Sequence, residues 1–174
     1  MVKEHIHELE ERRATSESPY QFVGSGLPNV YLVGIKYNVC KVCGEQAADI
    51  PAIKQLMKVI ARAIVENEAQ LTGLEIRFLR KRLGRKSSEF AQLVGVTIEE
   101  VSRWENKHNP PGRSADKLIR VLYSVLSGDR KLRDKMNQDL EDWFCTITGN
   151  GRPPHICAEL RNHEWKVKSV AACA

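Results

Sequence analysis

Residues 90–111, FAQLVGVTIEEVSRWENKHNPP, impose the tightest constraint on the fold. Phe90, Val94, Val96, Val101 and Trp104 fall at spacings that put them on the shared inner side of two short helices joined by a tight turn. Ala91 is small where such helices approach most closely, and Gly95 stands where the turn calls for a positive φ. Two short helices crossing almost at right angles leave little room between them, so these residue types are not interchangeable. A generic amphipathic bundle with a solvated face does not demand an alanine, a glycine and a tryptophan at these offsets.

With those side chains inward, Thr97, Ile98, Glu99, Ser102, Arg103 and Asn106 project from the opposite face of the second helix. This is the pattern of a helix-turn-helix, whose second helix enters the major groove of DNA. Arg103 can donate two parallel hydrogen bonds to guanine O6 and N7, worth about 1–3 kcal/mol of discrimination. Glu99 can accept from a cytosine amino group, and Ile98 or the Thr97 methyl can touch a thymine methyl. Lys86, Ser87, Ser88, Lys107 and Arg113 flank this face and are expected on phosphates, where they position the helix without reading sequence. Just upstream, RFLRKRLGRK concentrates Arg77, Arg80, Lys81, Arg82, Arg85 and Lys86 in a chain of net charge +5 and pI about 9.0. That balance fits a polyanionic partner, and its clustering says more than its total.

The 174 residues suffice for one ordinary domain or two small ones, and two small ones are expected. Residues 1–18 read as a flexible arm, polar and broken by ATSESP. Residues 19–67 read as a small β-ribbon plus helix. Val30, Leu32 and Val33, then Ile35, Tyr37 and Val39, lie between Gly and Pro-Asn turn signals as two short antiparallel strands. After Pro51, Ile53, Leu56, Met57, Ile60 and Ile64 recur at helical spacing.

Residues 70–146 read as five helices. Thr72 and Glu75 form a capping-box pattern ahead of Ile76, Leu79 and Leu83, with Gly84 as the stop. Ser87 or Ser88 is the expected cap of the next helix, and Thr97 with Glu100 repeats the box. NPPG ends the third helix, Ser114 is the expected cap of a fourth running through Leu126, and Gly128 introduces the fifth. Trp143 and Phe144, at the end of that helix, suit a core or dimer contact. The expected fold class is thus mainly α, a five-helix helix-turn-helix domain preceded by a small α+β domain. Residues 147–174 read as a C-terminal extension with a possible strand, EWKVKSV. Such a segment can fold onto a toxin or a SecB-like chaperone, or add a strand to its own dimer.

Other classes find little support. No apolar run approaches the roughly 18 residues of a membrane helix. The charged stretch MVKEHIHELEERRATSES lacks the apolar region of a secretory signal, so a cytoplasmic protein without membrane partners is expected. No Ser-His-Asp or Cys-His arrangement, glycine-rich phosphate loop or paired carboxylates can be assembled, so no enzyme is expected. Five cysteines at irregular spacing argue against a disulfide framework and for reduced thiols or a metal site. His155, His163 and Cys157 show no metal-ligand spacing.

The segment LTGLEIRFLRKRLG…SSEFAQLVGVTIEEVSRWENK…ADKLIRVLYSVL resembles the Xre (lambda-repressor-like) helix-turn-helix family over residues 70–126. More narrowly, it is similar to the C-terminal domain of MqsA-type antitoxins. The resemblance implies that the helix beginning at Thr97 is the recognition helix, that Arg103 reads bases, and that Arg80 and Glu105 form a salt bridge bracing the first helix against the third. One departure is Lys86-Ser87 where the family places Ser-Gln, which leaves lysine to replace the glutamine's phosphate contact electrostatically.

The N-terminal half resembles the YgiT-type zinc-binding domain, with CKVCGE matching the second of two knuckles and PYQFVGSGLPN in the place of the first. Zinc in a structural site takes four ligands. Cys40 and Cys43 supply two, and completion could come from His5 and His7, from a second subunit, or from Cys145 and Cys157. The alternative is a degenerate knuckle with reduced thiols, held by Leu32, Ile35, Val39 and Ile60 and requiring no cofactor. The family function implied is a type II antitoxin on the nucleoid of a bacterium. It would neutralise a cognate toxin and, as a homodimer on double-stranded operator DNA, repress its own operon. A stand-alone Xre-family repressor without a toxin is the other reading.

Overall fold

Val30, Leu32 and Val33 are buried, as are Ile35, Tyr37 and Val39, yet the two apolar runs belong to different sheets. The structure is a computed structural model that describes residues 8–106, 109–138 and 155–168. Its strands are β1 (Leu9–Arg13), β2 (Tyr20–Gln21), β3 (Val30–Val33), β4 (Lys36–Cys40), β5 (Gln46–Ala47), β6 (Ile156–Arg161) and β7 (Glu164–Lys168). Its helices are α1 (Ile53–Glu66), α2 (Gly73–Arg82), α3 (Ser87–Val94), α4 (Ile98–Asn106), α5 (Arg113–Leu126) and α6 (Arg130–Gln138). One sheet has the order β1-β4-β5 and the other β2-β3-β6-β7.

The expected ribbon of β3 on β4 is therefore corrected. The chain changes sheets at Gly34, whose φ is 86° and whose added Cβ would lie 2.7 Å from the Leu160 carbonyl oxygen. At this junction the Gly34 N–H donates to the Ala14 carbonyl and the Ala14 N–H to the Ile35 carbonyl, both at 2.9 Å, so Ala14 takes the bonds a hairpin would have used.

Two further expectations change. Leu9–Arg13 is not an arm but an edge strand, antiparallel to β4 in the register Leu9↔Cys40 to Arg13↔Lys36. Lys36–Glu11 and Lys41–Glu8 ion pairs, each 2.8 Å, flank it. Residues 156–168 are not an extension awaiting a partner, because β6 pairs in parallel with β3 and antiparallel with β7, inside the chain's own sheet. Ile156, Cys157 and Ala158 are buried, and Trp165, 3% exposed, donates its indole N–H to the Pro51 carbonyl at 2.9 Å. Of the segment expected to meet a toxin or a SecB-like chaperone, residues 156–168 are thus folded strand, and 147–154 and 169–174 lie outside the described residues. Cys157 is disulfide-bonded, which corrects the expectation of reduced thiols at that position. Trp143 and Phe144 lie outside the described residues.

Among the described residues two separate cores do not form either. α1 contacts β6 and β7 as well as α2 and α5. One apolar cluster runs from Ala14 and Leu32 through Leu56 and Ile60 to Phe90, Trp104 and Ile119. Two arginines fasten the join. Arg120, with 0% exposure, pairs with Asp116 at 2.6 Å and donates to the carbonyls of Ile64 (3.0 Å), Val65 (2.9 Å) and Ala69 (2.6 Å), and to that of Asn67. It thus supplies donors to last-turn carbonyls of α1, which have no intrahelical partner, and sets a positive charge against the negative end of the helix dipole. Asp116 in turn accepts the Leu71 N–H at 2.6 Å. Arg62 of α1 grips Asp129 with bonds of 2.6 and 2.8 Å, while Asp129 accepts the Lys131 N–H at the start of α6. Burial draws the Asp129 carboxyl upward, but the Arg62 bonds prevail and hold it below the usual carboxylate range.

Candidate nucleic-acid interface

The helices that carry the site are set by their caps. Thr72 caps α2 through a reciprocal box, its N–H donating to Glu75 Oε2 at 2.8 Å and its hydroxyl accepting the Glu75 N–H at 3.3 Å. Burial pushes the Glu75 carboxyl up, and the bonds from Thr72 pull against that shift. α3 starts at Ser87 with Lys86 at the N-cap, so neither serine is the cap. A lysine ammonium accepts nothing, and the end is closed instead by Glu89 Oε2, which takes the Lys86 N–H at 2.9 Å. Gly95 turns the chain at φ 76°, with its N–H and that of Val96 both donating to the Ala91 carbonyl. Thr97 and Glu100 then close the second reciprocal box, each bond 3.2 Å. Ser114 is likewise not a cap; Gly112 holds that position and α5 begins at Arg113.

Phe90, Ala91, Val94, Val101 and Trp104 are buried between the helices, and this fixes which way the rest of α4 points. Thr97, Ile98, Glu99, Ser102, Arg103 and Asn106 are all exposed, Ile98 at 50%. Arg103 is exposed, and among the described residues it makes no hydrogen bond or ion pair. Lys86, Ser88 and Arg113 are exposed and Ser87 is half-buried, while Lys107 lies outside the described residues.

The end of α4 is braced from α2. Arg80 and Glu105 pair through two bonds, Nε to Oε1 at 2.7 Å and Nη2 to Oε2 at 2.8 Å, which raises the pKa of Arg80. Arg80 also donates to the Arg85 carbonyl at 2.9 Å, tying the turn before α3 to the same group. Arg77 joins the cluster, with Nε 3.3 Å from Glu105 Oε2 and Nη2 donating to the Glu105 carbonyl at 3.1 Å and to Asn106 Oδ1. Sequence reasoning missed this second arginine, although Arg77 and Arg80 stand three apart on one face of α2. One expected base reader is partly engaged as a result: Asn106 is held by Arg77 and by Ser102, whose carbonyl accepts from Nδ2 at 3.0 Å. Asp116–Arg120 was also missed; its signal is the four-residue spacing on α5.

The knuckle forms as a turn between β4 and β5, where the Gly44 N–H donates to the Cys40 carbonyl at 2.8 Å and the Cys40 N–H to that of Glu45 at 2.9 Å. Cys40 is buried and Cys43 exposed. Among the described residues no three His, Cys, Asp or Glu side chains group as metal ligands, and the disulfide withdraws Cys157 from the donor set. His5, His7 and Cys145 lie outside the described residues. Cys40 and Cys43 thus supply two of the four ligands that a closed zinc site takes.

Residues 76–122 match the Helix-turn-helix family model. Three curated relatives, from Escherichia coli strain K12, strain O6:H1 and strain O157:H7, are each described as an uncharacterized HTH-type transcriptional regulator YiaG. Each is 29% identical over 76 residues, covering 39% of this chain and 79% of the relative. No solved structure matches the chain. Among the described residues no helix is long and apolar enough to cross a membrane.

Proposed function

We propose that the protein is a sequence-specific DNA-binding transcriptional regulator with α4 as its recognition helix. The observation that carries this reading is the solvent-facing Arg103 on a helix whose other side is locked by Val101 and Trp104. A guanidinium on a helix packed by its opposite face can meet the major-groove edge of guanine with two donors in one plane. Ile98 and Thr97 add apolar contact for thymine methyl groups, and Lys86, Ser88 and Arg113 set the helix against phosphates. The test is an affinity series on duplex DNA at several salt concentrations. Arg103→Ala is expected to relax preference at one base pair by about 1–3 kcal/mol, whereas Lys86→Ala weakens all duplexes alike and lowers the salt slope by about 1. Identical behaviour of the two variants would contradict this division of roles.

The finer reading is an antitoxin that represses its own operon, supported by the resemblance of residues 70–126 to MqsA-type antitoxins and by the CKVCGE turn. Its dimer would form through α5, where Leu118, Val125 and Leu126 are exposed on one face. Two copies of α4 about 34 Å apart would then meet a palindromic operator. Toxin capture falls to the sheet unit, and no metal is required. A neighbouring reading frame that is lethal alone and harmless with this chain supports the antitoxin. Its absence supports a stand-alone regulator, the reading that the relatives' descriptions favour.

A further inference from the structure

We propose that Arg77, which lies outside the recognition helix, is a positioning residue for base specificity, acting through the carboxamide of Asn106. The inference rests on the DNA-binding reading above and names a determinant within that site. Asn106 lies three residues after Arg103, four after Ser102 and seven after Glu99, so it shares their exposed face of α4. An asparagine reads a base edge only if its oxygen and its NH2 group face in a defined order, and the free side chain interconverts the two. Here the order is set on both sides. The Arg77 guanidinium, which only donates, lies on Oδ1; the Ser102 carbonyl, which only accepts, lies 3.0 Å from Nδ2. Flipping the amide would set N–H against N–H and oxygen against oxygen.

Arg77 is itself held, through Glu105, by the same carboxylate that grips Arg80. Its side chain is one-third exposed, so it is fixed by bonds and not by burial. The orientation of Asn106 is thereby written in α2, two helices before the surface it serves.

The test is selection of bound sequences from a randomised duplex pool by the full chain and by Asn106→Ala, Arg77→Lys and the double variant. Lysine keeps the charge beside Glu105 but loses the planar fork that holds Oδ1. Asn106→Ala is expected to abolish preference at one base pair. Arg77→Lys should relax the same pair, on the order of tenfold, with the salt slope unchanged, and the double variant should add nothing further. The inference is overturned if Arg77→Lys selects the original base at that pair, if it only weakens all sequences evenly, or if Asn106→Ala changes no position. A wild-type chain that enriches no sequence overturns the DNA-binding reading itself, and this inference falls with it.

Discussion

Glu105 is the acceptor on which two arginines converge, and its own side chain is 5% exposed. A carboxylate this far from water depends on its partners, because removing one member of such a pair strands the other charge. Glu105→Ala is therefore expected to cost about 3 kcal/mol, read by urea unfolding, and an unchanged midpoint would contradict it. The Arg80–Glu105 pair was legible through family resemblance and the exposed side chains of α4 through periodicity. Arg77 and Arg120 were not, because an arginine in a basic run or on an amphipathic helix gives no local sign of which distant carbonyls it meets. For Asp129 the sign of the pH effect follows from its environment. Its carboxyl is held below the unfolded value, so its contribution is present above about pH 4 and is lost as acid protonates it. Asp129→Asn should flatten that acid limb of stability, and an unaltered limb would show that Asp129 does not contribute there.

At the level of elements, α2 to α5 begin and end within a residue or two of the positions read from the sequence, because caps and glycines are local devices. The serines at 87, 88 and 114 misled for a related reason: a backbone end can be closed by a side chain three residues on, as Glu89 does, and an N-cap can be a glycine with no side-chain bond, as at Gly112. The strands were less legible. LEERR has no apolar alternation since β1 is an edge with both faces largely wet, and β6 finds its parallel partner more than a hundred residues away. One contact joins helices through backbone alone. A Cβ on Gly73 would sit 2.0 Å from the Trp104 carbonyl oxygen, so α2 and α4 meet there without a side chain between them. Gly73→Ala should destabilise the fold by about 1–3 kcal/mol, measured by thermal or urea unfolding. A variant as stable as the wild type would mean that the helices separate at little cost.

Across the whole molecule, the expected pair of small domains gives way to one continuous core, with Arg120 bonded to the end of α1 and Arg62 bonded to the start of α6. A sheet unit and a helix-turn-helix joined in this way should unfold together. One coincident transition is expected by far-ultraviolet circular dichroism and by tryptophan fluorescence, and two separated transitions would contradict the shared core. The same join relates function to fold, because removing residues 156–168 strips β6 and β7 from α1 and so disturbs the element that Arg120 caps.

Whether Arg103 reads a guanine edge in duplex DNA is measured on a selected binding site in which each guanine is replaced in turn by 7-deazaguanine, which lacks the N7 acceptor. One replacement is expected to weaken wild-type binding about tenfold and to leave Arg103→Ala unaffected. Wild-type binding indifferent to every replacement, or an Arg103→Ala chain as sensitive as the wild type, would contradict it.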